Sequence, residues 1–328
     1  MKKLLMLMVV AVAIITLAAC GSDDEADSGS SEGGDTYKVG ATQIVEHPSL
    51  DAAYEGFKDA LADAGLEVEY DFQSAQNDQN NVKPISDGFA ADDVDLIFAN
   101  STPSALGALQ ATSDIPIVFT SVTDAVDAGL VPSMDEAGEN ITGVVDLHPE
   151  QIDATVEFIN TYFEGATIGM VYNAGEQNSV SQVESVKAAA EEQGLEVVER
   201  TVANSAEVQQ AATTLVGEAD VFYIITDNTV VSALDSVVGV ANDQDIPLIV
   251  GEPDSLAGGG FATFGIDYHT IGYRTGEMAV EILTGEKSPS DFPAEYPPEI
   301  QLFMNKQAAE EQGIEWNSEW DDQAQFVE

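Results

Sequence analysis

Several apolar, strand-like runs of this 328-residue chain are each followed by small polar and acidic side chains. These side chains are Ser101, Thr102, Ser104, Thr120, Ser121, Thr123, Asp124, Asn173, Glu176, Asn178, Ser179, Thr226, Asp227, Asn228, Thr229, Glu252 and Asp254. Hydroxyls and amides bind a carboxylate and acids bind an ammonium, so the set suits a zwitterion such as an amino acid. For any single residue, capping the next helix is the commoner role, and Thr102 with Pro103 after it fits a helix N-cap.

Side chains typical of catalysis or metal binding are sparse. The three histidines, His47, His148 and His269, are not spaced as metal ligands with another histidine or a cysteine, although His47 stands at a strand-to-helix junction where it could line a cleft. Nucleophile-elbow, Walker A and dinucleotide-binding motifs are absent from the sequence. Arg274, one of only ten basic residues, is expected to pair with nearby acids such as Glu277 or Glu281. We therefore predict no catalytic residue, no metal and no cofactor.

The strands and helices that must position the polar residues occur twice. The first copy has a strand at 37–45, a helix at 50–64 and a second strand after Gly65. The second copy has a strand at 167–172, a helix at 180–193 and a second strand after Gly194. The runs IPIVF (115–119) and IPLIV (246–250) extend the parallel. Apolar strands that alternate with helices imply parallel sheets covered on both faces. We predict an α/β protein of two Rossmann-like lobes, with ligands bound beyond the carboxyl ends of the strands.

The chain is strongly acidic, with 59 Asp and Glu against 10 Lys and Arg and a net charge of −49. This charge argues against nucleic acid or an anionic membrane surface as a partner. Because the acids are spread along the whole chain, we interpret them as a solvated coat and predict a salt-tolerant or salt-requiring protein.

The first 36 residues indicate export and anchoring. Two lysines, sixteen apolar residues and Cys20 follow one another, and the run is too short to cross a bilayer comfortably. The residues just before Cys20 resemble the lipobox of bacterial lipoproteins. We predict a signal peptide at 1–19, lipidation of Cys20 and a disordered tether at 20–36.

The runs FANSTPSALGAL, IPIVFTSVTDAVDAGLV, GMVYNAGEQNSV, DNTVVSAL and ATFGIDYHTIGYRTGEMAVEILTGE resemble the substrate-binding lipoproteins of ABC importers. More closely, they are similar to the subgroup associated with tryptophan and tyrosine uptake. The resemblance implies a type I periplasmic-binding fold, with two lobes joined by a three-strand hinge. Lobe 1 would span 37–146 plus 269–292 and lobe 2 would span 147–268 plus 297–328.

The same resemblance implies a function. The protein would stand on the outer face of the cytoplasmic membrane as a lipid-anchored monomer, capture an amino acid between its lobes, and deliver it to a permease with its ATPase. The ligand-binding residues would be Ser101, Thr102, Ser104, Thr120, Thr123, Asn173, Asn178, Asp227, Asn228, Glu252, Asp254 and Asp267.

Three alternatives stay open at this stage. A surface enzyme of α/β fold would need an activated nucleophile or a metal set that the sequence does not offer. A ligand-sensing lipoprotein would have the same fold and cleft as a transport protein. Within the binding proteins, a nucleoside or a sugar is the second choice of ligand, although the scarcity of arginine weighs against a sugar.

Overall fold

The computed structural model describes residues 36–327, the body of the protein. The signal peptide predicted at 1–19, Cys20 and nearly all of the predicted tether lie outside the described residues. The body contains its own hydrophobic cores in both lobes, so it has what a domain needs to fold independently. No helix among residues 36–327 has the length and apolar character needed to cross a membrane.

The described chain alternates strands and helices along most of its length. The strands are β1 (Tyr37–Gln43), β2 (Val68–Ser74), β3 (Leu96–Asn100), β4 (Ile117–Val122), β5 (Ile141–Val145), β6 (Thr167–Asn173), β7 (Glu196–Val202), β8 (Val221–Ile224), β9 (Leu248–Val250), β10 (Ala262–Gly265), β11 (Gln301–Met304) and β12 (Gln325–Phe326). The α-helices are α1 (Pro48–Asp63), α2 (Gln79–Ala91), α3 (Thr102–Ala111), α4 (Gln151–Tyr162), α5 (Gln177–Gln193), α6 (Val208–Leu215), α7 (Asn228–Val231), α8 (Leu234–Gln244), α9 (Asp254–Ala257), α10 (Tyr268–Leu283), α11 (Lys306–Glu311) and α12 (Trp320–Gln323).

Lobe 1 is built on a five-stranded parallel sheet in the order β2-β1-β3-β4-β5. Strands β3, β4 and β5 are buried along their whole length because helices cover both faces. On one face, Phe57 of α1 stacks on Phe98 of β3 with ring centroids 4.1 Å apart. Helix α10 joins the same core through residues such as Ile271 and Met278, although it follows the strands of the other lobe in sequence.

Lobe 2 is built on a seven-stranded sheet in the order β12-β11-β10-β9-β8-β6-β7. Strands β6 to β10 are parallel, whereas β11 runs antiparallel to β10 and β12 pairs with β11 at the sheet edge. The core on one face gathers Phe158, Phe261 and Trp320, and the indole of Trp320 packs edge-on against Phe261 at 5.4 Å.

The two copies seen in the sequence end their first helix in the same way. Gly65 and Gly194 adopt left-handed φ values of 74° and 75°, which glycine tolerates best. The next residue closes the helix by donating its N–H to a carbonyl five residues back, Leu66 to Leu61 at 3.1 Å and Leu195 to Ala190 at 2.9 Å. Each turn aims the chain into the strand that forms the edge of its sheet, β2 in lobe 1 and β7 in lobe 2.

The chain passes between the lobes three times. The connections are residues 146–150 between β5 and α4, residues 266–267 between β10 and α10, and residues 292–300 before β11. The third connection runs beside β5, where Glu295 pairs with Val144. Arg274 of α10 fixes this segment by a two-pronged ion pair to Glu295, with both N···O distances between 2.8 and 2.9 Å, and it also pairs with Glu277 as the sequence indicated. Glu281 instead pairs with Lys287.

Candidate functional site

A cavity lies between the two lobes. Its walls come from the carboxyl ends of parallel strands in both sheets, from the first connection between the lobes and from the start of α10. The residues that line it are Val45, His47, Ser49, Leu50, Thr102, Ser121, Thr123, Asp146, Asn178, Thr226, Asp227, Asn228, Val231, Glu252 and Tyr268.

The wall from lobe 1 combines apolar side chains with hydroxyls. Helix α1 begins after His47, whose ring Nδ1 accepts the N–H of Ser49 at 3.3 Å. The end of β4 is irregular, and Ser121 there has a φ of 56°, a strained value for a serine. Its buried hydroxyl has no hydrogen-bond partner in the part of the chain that the structure describes. Thr102 accepts the N–H of Thr123 at 3.2 Å, which fixes both residues on this wall.

The wall from lobe 2 is organised by two buried acids. Asp227 caps α7 by accepting the N–H of Val230 at 2.7 Å, and its second oxygen accepts the N–H of Asn173 at 2.6 Å. Glu176 accepts two hydrogen bonds from Asn228 and two from Thr229, at 2.6 to 3.2 Å, and a longer one from Asn173 at 3.5 Å. Burial and the neighbouring Glu176 carboxylate raise the pKa of Asp227 above its ordinary value.

The hinge side of the cavity holds Asp146, from the first connection, and Tyr268, the first residue of α10 directly after the second connection. The Tyr268 hydroxyl donates to Oδ2 of Asp146 at 2.8 Å, and the other carboxylate oxygen, Oδ1, is buried with no partner among residues 36–327. Burial raises the pKa of Asp146 to about 6, although the Tyr268 hydrogen bond acts in the opposite direction. Asn178, on the lobe 2 wall, likewise has a buried side-chain oxygen without a partner. Two hydrogen-bond acceptors on the cavity wall are therefore unsatisfied.

The lobes touch each other around this cavity. The Ser49 hydroxyl of lobe 1 lies 2.6 Å from Glu252 and 2.7 Å from Asp254 of lobe 2. Gln182 of lobe 2 donates to Thr123 of lobe 1 at 3.2 Å. These contacts show the closed arrangement of a two-lobed protein.

A model of the family described as ABC transporter substrate binding protein matches residues 38–327 of the chain. The chain belongs to this family. Its members are extracytoplasmic proteins that bind a small ligand and work with an ABC permease, and the two-lobed architecture confirms the type I periplasmic-binding fold predicted from the sequence.

The substrate-binding protein has relatives of known name and known structure. It is 42% identical over 315 residues to a tyrosine-binding protein of Clostridioides difficile (strain R20291), covering 93% of this chain and 90% of the relative. It is 34% identical to an ABC domain from Streptococcus pneumoniae solved in complex with L-Trp, covering 90% of this chain and 100% of that one, with a TM-score of 0.85.

A third relative helps to define the conformation. The ligand-free, open structure of a substrate-binding protein with adhesive properties from Clostridium difficile is 41% identical, and the match covers 89% of this chain and 99% of that one. Its TM-score is only 0.66, against 0.85 for the less identical L-Trp complex. The lobes of the substrate-binding protein therefore stand closer to the arrangement of the ligand-bound relative than to that of the open one.

The structure brings together one group of the residues predicted to bind ligand and places the others outside the cavity. The predicted residues that line the cavity are Thr102, Thr123, Asn178, Asp227, Asn228 and Glu252. The predicted residues that do not line it are Ser101, Ser104, Thr120, Asn173, Asp254 and Asp267.

The residues outside the cavity have structural contacts of their own. Ser101, and not Thr102, is the N-cap of α3, because its hydroxyl accepts the N–H of Ser104 at 3.3 Å. The expected cap was thus one residue too late. Asn173 binds Thr229 at 2.9 Å, and Asp267 caps α10 through the N–H of Thr270 at 2.7 Å. These roles are the capping and packing that the sequence also allowed.

Sequence reasoning missed several lining residues, above all Asp146 and Tyr268. Both lie where the chain passes from one lobe to the other, a place that the predicted three-strand hinge could have indicated. The sequence predicts Leu50 only as the first residue of a helix and gives Ser49 no role. His47 does line the cavity, as its position before Pro48 indicated.

Proposed function

We propose that this substrate-binding protein captures an aromatic amino acid between its lobes and delivers it to an ABC permease. The observation that carries the proposal is the pair of buried, unpartnered acceptors on the cavity wall, Oδ1 of Asp146 and Oδ1 of Asn178. A buried acceptor without a partner costs free energy, and an ammonium group supplies the missing donors with charge assistance.

The other lining groups suit the rest of such a ligand. The free hydroxyl of Ser121, beside Thr102 at the start of α3, provides a donor for a carboxylate near the positive end of a helix. Val45, Leu50 and Val231 offer apolar surface for a side chain, and the ring of Tyr268 adds an aromatic face.

The three carboxylates of the cavity differ in how well they are already satisfied. Both oxygens of Asp227 accept backbone N–H groups, and Glu252 accepts Ser49, the N–H of Asp254 and Ser255. Asp146 alone among these three carboxylates has an oxygen without a partner. We therefore assign the ammonium to Asp146, with Asn178 as its second acceptor.

The names of the relatives support an aromatic side chain. One relative is a tyrosine-binding protein and another was solved with L-Trp, at 42% and 34% identity. The remaining parts of the proposal rest on the sequence: a signal peptide at 1–19, lipidation of Cys20, a monomer without catalytic activity, and a salt-adapted acidic surface.

A thermal-shift screen tests the proposal. The body of residues 36–328 is heated at high salt with each amino acid, with nucleosides and with sugars. A ligand at 100 times its dissociation constant adds about 2.7 kcal/mol to the free energy of unfolding, which shifts the melting temperature by several degrees. We expect shifts with tyrosine, tryptophan or both. A shift with a nucleoside or sugar and with no amino acid would overturn the ligand assignment.

A further inference from the structure

A buried hydrogen-bonded contact joins the two lobes beside the cavity. The hydroxyl of Ser49, at the start of α1 in lobe 1, lies 2.6 Å from Glu252 and 2.7 Å from Asp254. In lobe 2, Glu252 lies between β9 and α9, and Asp254 is the first residue of α9. We propose that these three residues, the closing contact, hold the lobes together before any ligand binds and so set the affinity for the ligand.

We expect the closing contact to contribute more than the other hydrogen bonds between the lobes. The bond from Gln182 to Thr123 is also buried, but it joins two neutral groups at 3.2 Å. Ser49 and Glu252 are only 2% and 3% exposed, so water competes little for their hydrogen bond, and the acceptor is a carboxylate. The bonds from Asn77 to Ser232 and from Gln177 to Asp127 lie at the exposed surface. Exposed hydrogen bonds exchange readily with water and contribute little.

Each side of the closing contact is fixed within its own lobe. Glu252 accepts the N–H groups of Asp254 and Ser255 at 2.7 to 3.1 Å and also the Ser255 hydroxyl, so its carboxylate keeps its position when the lobes separate. Ser49 is held at the beginning of α1, where its N–H donates to His47. Because both partners are already in place, forming the contact orders little additional chain.

A hydroxyl has one hydrogen and here faces two carboxylates. Ser49 can donate to Glu252 or to Asp254, so the loss of one acceptor leaves the other available. Removal of the hydroxyl breaks both bonds at once. Ser49 is therefore the residue whose substitution affects the closing contact most.

The contact influences affinity through the population of the closed state. A ligand that binds the closed form has an apparent dissociation constant equal to the intrinsic value divided by the closed fraction. If the closing contact raises that fraction in the free protein, it tightens binding without touching the ligand. This consequence holds for any ligand of the cavity.

The test measures lobe separation in ligand-free protein. Spin labels are attached at Asn80→Cys of lobe 1 and Asp235→Cys of lobe 2, both exposed, in the body of residues 36–328, which lacks Cys20. The distance distribution is then compared for the parent, for Ser49→Ala and for Asn77→Ala. The last variant is the matched control, because it removes an exposed bond between the lobes.

We expect a closed population in the parent and in Asn77→Ala. In Ser49→Ala, the ratio of closed to open protein should fall by about tenfold or more. The double variant Glu252→Ala with Asp254→Ala removes both acceptors and should shift the ratio in the same direction. Ser49→Ala added to it should shift the ratio little further. The double variant also carries the test if Ser49→Ala fails to fold. A ratio unchanged from the parent in either folded variant would overturn the proposal. Because no ligand is present, this outcome is independent of whether the cavity binds an amino acid.

Discussion

Replacing Asp146 with asparagine tests the proposed ammonium site. The two side chains have nearly the same size, and asparagine can still accept the hydroxyl of Tyr268, which lies 2.8 Å from Oδ2. The substitution removes the negative charge, and it turns one acceptor that faces the cavity into a donor. An ammonium ligand would then meet a donor in place of the carboxylate oxygen that now has no partner.

The expected loss of affinity follows from this change. Truncating one partner of a buried, hydrogen-bonded charge pair costs about 2–5 kcal/mol. Since asparagine keeps some polarity, we expect a loss of binding free energy in the lower part of that range, about 2–3 kcal/mol. This loss corresponds to a roughly 30- to 150-fold rise in the dissociation constant for an aromatic amino acid. Asp267→Asn is the matched control, because Asp267 is an exposed N-cap away from the cavity and asparagine caps helices equally well.

The pH dependence of binding gives a second signature of Asp146. Its pKa is raised to about 6, mainly by burial, so the ligand-free protein gains stability from this group at low pH and loses it as the pH rises through about 6. An ammonium ligand favours the ionised carboxylate. Binding should therefore be independent of pH well above 6 and weaken by up to about tenfold per unit below it.

Isothermal titration calorimetry of the parent, Asp146→Asn and Asp267→Asn between pH 5 and pH 8 measures both effects. The dependence near pH 6 should be present in the parent and in the control. It should be reduced in Asp146→Asn, in which Asp227, whose pKa is also raised by burial and by Glu176, still titrates. Equal affinity of parent and Asp146→Asn at pH 8 would show that the ammonium does not bind at Asp146.

Three further predictions concern the surroundings of the site and the surface. Tyr268→Phe removes the hydroxyl that lowers the pKa of Asp146, so the pH midpoint of ligand binding should move upward in calorimetry across the pH range. A midpoint that stays in place or falls would contradict the assigned hydrogen bond. Glu176→Ala leaves buried donors of Asn228 and Thr229 unsatisfied. In a denaturant titration it should therefore lower the free energy of unfolding by at least about 2 kcal/mol. The control Glu150→Ala, at an exposed position, should change this free energy by less than about 0.5 kcal/mol. The net charge of −49 predicts a melting temperature that rises between low and molar salt; a flat or falling curve would refute salt adaptation.

The fold and family were predictable from the sequence because the relevant signals are local and repeated. Gly65 and Gly194 each end a helix before an edge strand, and the apolar strands between them alternate with helices in the same order. The family and the type I periplasmic-binding fold expected from these motifs are confirmed by the family match and by the two sheets.

The site was predictable only as a region. Polar residues at strand ends indicated the correct edge of both sheets, but strand ends cannot distinguish a side chain that faces the cavity from one that caps a helix. Asn173 and Asp227 follow neighbouring strands, yet Asn173 binds Thr229 and only Asp227 lines the cavity. Asp146 and Tyr268 meet only because two separate connections between the lobes run side by side, a long-range arrangement that periodicity does not encode. The roles of the individual cavity residues in ligand binding stay predictions.

Binding of the amino group can be measured by calorimetric titration with L-tyrosine and L-tryptophan, each compared with the corresponding 3-arylpropionate, which lacks that group. We expect one site per chain for at least one of the two amino acids. Its deaminated analogue should bind at least about 30-fold more weakly, because the buried acceptors of Asp146 and Asn178 then have no donor. Equal affinity for an amino acid and its analogue, or no binding of either amino acid, would contradict this expectation.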